Sequence, residues 1–168
     1  TFGIIFLTIV NNEPRVLNIK SIIEEFVNFR KEVVTKRSTF ELNKAKDRLH
    51  ILEGLKKALE HIDEVIALIK KAPNTQEARA SLMARFDFSE KQATSILEMR
   101  LQRLTSLERN KIIDDFNTTS AEIARLEQIL ADEKLLLALV KEELLEIQDK
   151  YGNDRLTDIV DALPDITI

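Results

Sequence analysis

Apolar residues recur at three- and four-residue intervals along most of this chain, and two long stretches carry the pattern. The first runs over Asn18–Lys70, where Leu52, Leu55, Leu59, Ile62, Ile66 and Ile69 repeat at helical spacing. Towards the chain start the same seam thins to Val34, Leu42, Ala45 and Leu49. The second stretch is Ser106–Tyr151, with Phe116, Ile123, Leu126, Leu130, Leu137, Val140, Leu144, Ile147 and Tyr151 at intervals that are sums of 3 and 4, as a coiled-coil seam requires. Glu133 occupies one slot of that seam and is a local fault. Neither stretch contains proline. At a rise of about 1.5 Å per residue each predicts a helix roughly 70–80 Å long. Helices of that length do not fit inside a ball of this many residues. They pair antiparallel, as a rod with a small head at its far end.

The remaining elements are short. Ile4–Val10 is rich in β-branched residues, Asn11-Asn12-Glu13-Pro14 supplies turn chemistry, and Arg15-Val16-Leu17 returns, predicting a β-hairpin that completes a sheet with strands from elsewhere. Asn18 or Ser21 caps the first long helix, and Gly54 inside it marks a close approach or a slight bend. Ala72-Pro73-Asn74 ends that helix. Asn74 or Thr75 caps a short one with Leu82, Met83 and Phe86 on its apolar face, and Asp87-Phe88 breaks it. Ser89 with Gln92 forms a capping box for the next, followed by Ala93, Ile96, Leu97, Arg100, Leu101 and Leu104 at helical spacing. Thr105 with Glu108 opens the second long helix, and Gly152 suits its C-terminal cap. Leu156–Val160 returns as a strand towards the hairpin.

The predicted class is mainly α: a long antiparallel two-helix coiled coil with a small helical head and a short β-hairpin at the base. Its parts are a hairpin over 1–17, a first arm helix over 18–71, a helical head over 72–105, a second arm helix over 106–151 and a return segment over 152–168. The chain reads as a piece of something larger.

Charge supports the fold-back. Arg30, Lys31, Lys36, Arg37, Lys44, Lys46 and Arg48 outweigh Glu32, Glu41 and Asp47, for a net +4 between Arg30 and Arg48. Glu122, Glu127, Asp132, Glu133, Glu142, Glu143, Glu146 and Asp149 outweigh Arg125, Lys134 and Lys141, for a net −5 between Glu122 and Asp149. Exposed pairs contribute little singly, but opposite net charge sets orientation and register. The basic run also suits nucleic acid, most directly through Arg30, Lys36 and Arg37 near the hairpin end, although only Phe29 and Phe40 interleave it and the whole chain carries −4.

Catalytic chemistry finds no constellation. Charged residues make up 32% and aromatics 5%, a profile of exposed helices more than of a thick core. There is no cysteine, so disulfides and thiolate metal sites are excluded. His50 and His61 lie eleven residues apart, three helical turns, too far to share an ion. No nucleotide-binding glycine loop, triad, signal peptide or membrane-length apolar run occurs, and the expected location is the cytoplasm. Asn117-Thr118-Thr119 matches a glycosylation pattern only weakly. The one tyrosine, Tyr151, sits on the seam with no basic cluster beside it, and packing at the base of the rod is the expected role. The head is different. A rod tip has little core of its own, so part of the apolar surface of Ile96, Leu97, Leu101 and Leu104 is left for a partner. A two-fold self-contact centred there, with Ala93 in the interface and Arg100 and Arg103 at the rim, is the functional expectation.

Three stretches carry a family resemblance: FRKEVVTKRSTFELNKAKDRLHILEGL over Phe29–Leu55, EMRLQRLTSLE over Glu98–Glu108 and IQDKYG over Ile147–Gly152. Together with Phe2-Gly3-Ile4 and Pro14-Arg15-Val16-Leu17-Asn18 they resemble the breakage-reunion (A) subunits of bacterial type IIA topoisomerases, those of DNA gyrase first and of topoisomerase IV close behind. The resemblance implies that the hairpin ends the tower domain, the rod is the coiled-coil arm and the head is the dimerising exit gate. It implies a homodimer working with the gyrase B subunit in an A2B2 parent that changes the topology of double-stranded DNA by ATP-dependent strand passage and negative supercoiling. The parent's Mg²⁺ and ATP, its nucleophilic tyrosine and its DNA-wrapping domain match nothing in these residues, so no cofactor is expected here. Tyr151 does not match the nucleophile's motif.

Overall fold

The computed structural model describes residues 4–99 and 106–157. A hairpin of β1 (Leu7–Val10) and β2 (Glu13–Val16) leads into six helices: α1 (Ile19–Glu60), α2 (Ile62–Lys71), α3 (Thr75–Phe86), α4 (Glu90–Leu97), α5 (Ser106–Ala131) and α6 (Glu133–Tyr151). The mainly helical class is as expected. The hairpin is tighter than its sequence suggested. Only Asn11 and Asn12 form the loop, at φ 52° and 63°, and Val10 pairs with Glu13, Ile9 with Pro14, Thr8 with Arg15 and Leu7 with Val16. Asparagine tolerates the left-handed backbone that a two-residue hairpin turn demands at both positions. Pro14, which has no N–H to give a further strand, sits within β2 at the edge of this two-stranded sheet.

Asn18 accepts the Ser21 N–H at 2.8 Å and starts α1. The first long stretch is then interrupted: α1 closes at Glu60 and α2 restarts at Ile62, with His61 at φ −118° between them and no side chain capping the restart. The second stretch is interrupted at Asp132, which leaves the helical region and caps α6 by accepting the Lys134 N–H at 2.8 Å. The fault expected from Glu133 is therefore a true break, one residue earlier.

The seam of α5 and α6 is Ile112, Thr119, Ile123, Leu126, Ile129, Leu136 and Val140. Beyond Leu126 it runs through Ile129 and Leu136 where Leu130 and Leu137 were expected, and Leu137 is 38% exposed. Leu130 stays half-buried beside Ile129, and the non-helical backbone of Asp132 resets the phase of α6, so a repeat counted through the break does not hold. On α1 Val34 packs with Ile129, Leu136 and Val140, and Ser38 and Ala45 are buried further along the arm, while Leu52, Gly54, Leu55 and Ala58 lie where the head packs. Small residues dominate along the arm, so the two backbones approach closely.

Tyr151 is a correction. It is 70% exposed, with Lys150 Nζ 5.3 Å from its ring centroid, and Ile147 is also exposed. On α1 the corresponding end, Ile19, Ile23, Phe26 and Phe29, is exposed too. Tight pairing of the arm stops near Arg30, and neither apolar row below it is covered. Gly152 closes α6 in extended backbone (φ −65°, ψ 145°), not left-handed backbone, and donates to Gln148 O at 2.7 Å. A Cβ on Gly152 would stand 2.3 Å from that oxygen. Most of the return strand expected over Leu156–Val160 lies outside the described residues.

The head holds the larger core. Leu82, Phe86, Phe88, Ala93 and Ile96 pack on Leu52, Leu55, Ala58 and Val65, with Ile112 closing the floor. Asn74 caps α3 by accepting the Glu77 N–H at 2.8 Å. Asp87, in left-handed backbone at φ 55°, turns the chain from α3 towards α4. The Ser89–Gln92 capping box forms as expected.

Candidate functional site

Two features of the rod bear on function: the charges that zip the arm and the surface offered by the head. Five basic side chains of α1 reach across to the returning helices. Arg48 meets Asp115 at 3.3 Å, Lys46 meets Glu127 at 2.7 Å, Lys31 bonds Glu133, and Arg30 meets Glu143 at 2.8 Å. Arg37 also bonds Glu143. Leaving aside Arg37, sequence number falls along α1 as it rises along α5 and α6, which is the antiparallel order predicted from net charge.

Glu143 is the centre of this set. The hydrogen bond from Arg37 holds its carboxyl below the usual carboxylate range, with Arg30 adding to the effect and partial burial opposing it. Glu133 is lowered likewise by Lys31. Arg30 and Arg37, two of the three candidate DNA contacts, thus spend their charge on the partner helix, while Lys36 pairs with Glu32 one turn away at 2.5 Å. All three candidates stand within the arm's own ion-pair network.

The head gives a mixed result for the proposed self-contact. Ala93 and Ile96 are 0% and 3% exposed and belong to the head's own core, so they support the surface and do not form it. A helix of eight residues packed on both α1 and α3 has little face left over, which is why spacing alone placed them outside. Leu97 is half-buried and borders a cavity of about 230 Å³ between α2 and α4, lined by Ile62, Val65, Ile66, Ile69, Ile96 and Met99. Arg100, Leu101, Arg103 and Leu104 lie outside the described residues. The sequence pattern places the isoleucines of α2 on the rod seam and does not reveal their contribution to the head. Their clustering at Ile62, Ile66 and Ile69 was the available signal.

Both histidines are engaged structurally. His50 Nε2 lies 2.6 Å from Ser89 Oγ, and the His61 ring lies 5.7 Å from the Phe86 ring. Among the described residues no group of three or more acidic, histidine or cysteine side chains could hold a metal ion, and no helix is long and apolar enough to cross a membrane.

The profile of the DNA gyrase/topoisomerase IV family of A subunits matches residues 1–145. The chain belongs to this family. It is 52% identical over all 168 residues to the A subunit of DNA gyrase from Clostridium acetobutylicum, and covers 20% of that protein. It is 48% identical over its full length to the gyrase A protein of Aminobacterium colombiense, covering 21% of it. Against that of Staphylococcus aureus it is 48% identical over 159 residues, 95% of this chain and 18% of the relative. The chain thus spans about a fifth of the length of these gyrase A relatives. The family is the one that the sequence resembles.

Proposed function

We propose that this chain is the coiled-coil arm and exit-gate head of a type IIA topoisomerase of the gyrase kind, within its A subunit. Two copies meet head to head and hold the halves of a cleaved DNA complex together while a duplex leaves. The parent acts on double-stranded DNA as an A2B2 assembly with the gyrase B subunit, negatively supercoiling it at the expense of ATP. The arm's part in the cycle is mechanical, with the parent's Mg²⁺ and ATP held by other parts of the assembly. The observation that carries the reading is a charge-zipped antiparallel arm ending in a head whose α2–α4 face is apolar and open. Such a face suits an interface of modest area with an apolar centre. The uncovered apolar rows of the hairpin and of Ile19–Phe29 suit attachment to the rest of the parent protein.

Sedimentation of the chain at tens of micromolar is the test. A dimer is expected, and Leu101→Asp abolishes it by placing an unpaired charge in the contact. A monomer in the parent sequence overturns the gate reading. An unchanged dimer in Leu101→Asp removes the Ser89–Leu104 segment from the interface. The family description covers topoisomerase IV as well, which gives a second reading as the arm of a decatenating enzyme. Assaying the parent enzyme for supercoiling against decatenation separates the two.

A further inference from the structure

The arm and the head meet at one polar joint that the apolar packing does not account for. On the flank of α1, the Gln92 side chain of α4 donates from Nε2 to the His50 carbonyl at 2.7 Å. Its Oε1 accepts the Ser89 N–H at 3.0 Å, and Ser89 Oγ accepts the Gln92 N–H at 3.2 Å while lying 2.6 Å from His50 Nε2. Gln92 is only 8% exposed. It therefore caps its own helix and bonds α1 with the same amide.

What admits it is Gly54. A helical side chain leans back over the turn before it, so the Cβ of residue 54 would cover the carbonyl of residue 50. With no Cβ there, that carbonyl lies open to Gln92. An added Cβ would stand 2.6 Å from Gln92 Cγ and 2.8 Å from its Cβ. The second of these atoms is fixed to the α4 backbone, so a rotamer change cannot relieve the crowding and α4 must move. Two further contacts flank the notch. Lys57 Nζ donates to the Phe86 carbonyl at 2.6 Å, at the end of α3, and Lys91 pairs with Asp47 at 3.6 Å.

We propose that Gly54 and Gln92, with Ser89 and the His50 carbonyl, form the joint that fixes the orientation in which the arm carries its head. The geometry deepens the gate reading, because a head held at a set angle presents the same face to its twin each time. The joint itself is a property of one chain and stands whether or not two chains associate. Gly54 and Gln92 act as positioning residues.

The absence of cysteine allows a direct test. Spin labels at Lys44→Cys on α1 and Gln76→Cys on α3, both exposed, report the arm-to-head distance within one chain when labelled protein is diluted into unlabelled protein. Gly54→Ala is expected to shift or broaden that distance, although the same change ordinarily stabilises a helix interior. Gln92→Leu keeps most of the volume and removes the hydrogen bonds, and is expected to broaden it too. Glu53→Ala, an exposed neighbour on α1, is expected to leave it unchanged. An unaltered distance in Gly54→Ala, with a raised melting temperature, overturns the joint. Sedimentation of the same samples reads the gate separately: a monomeric parent with a shifted Gly54→Ala distance overturns the gate and supports the joint.

Discussion

Glu143 sits where two arginines of α1, seven residues apart, converge on one carboxylate. Its side chain is 21% exposed and Arg37's is 42%, so water screens part of the attraction. Glu143→Gln is expected to lower stability by about 1 kcal/mol at neutral pH, measured by urea unfolding. Because the folded carboxyl titrates below its unfolded value near 4.3, the contribution is complete above that pH and disappears as pH falls through the lowered value. The wild-type and Gln curves should therefore converge in acid; a gap that persists there would show that packing, not charge, is lost. The sequence disclosed the sign of this interaction through opposite net charges on the two stretches. It did not disclose Glu143 as the centre, because eight acidic residues compete in that stretch and only the helix phase chooses among them.

At the scale of the elements, the breaks and the seam decide the shape of the arm. Asp132 ends α5 and caps α6, so Asp132→Ala is expected to cost about 1 kcal/mol, read as a lowered midpoint of thermal unfolding. The observed register places Leu136 inward at 9% exposure and Leu137 outward. Leu136→Ala should cost about 2 kcal/mol or more, and Leu137→Ala about 0.5. Equal costs would restore the register expected from a strict repeat. The helical spans and the capping residues Asn18, Asn74 and Ser89 were legible because their signals are local. The inward turn of Leu136 was not, since it follows from the break at Asp132, which resets the helical phase of α6. Ser38 and Thr119 escaped notice for another reason. They are polar by type, yet small enough to be buried where backbones approach. Gly54 stood out as an anomaly within a helix, but its partner Gln92 was recognised only as a cap.

For the whole molecule, the rod with a head was legible from proline-free periodic stretches, and the family from three segments that the comparison with gyrase A proteins supports. The head surface was less so. Its apolar face is shared between α2 and α4, and Ala93 and Ile96 turn inward. The net charge of −4 and the pairing of Arg30 and Arg37 predict that the chain alone gives no anisotropy change with duplex DNA at physiological salt. Binding with a steep salt dependence would instead assign the basic run to DNA. The most direct measurement is the distance between two copies from a single spin label at Gln76, near the end of the head. A head-to-head pair gives one sharp distance well short of an arm's length, which is about 60 Å for α1. A label at Lys20, at the other end of α1, gives a separate and longer one. A short distance from Lys20 with none from Gln76 would contradict the account, because the twin would then dock at the base.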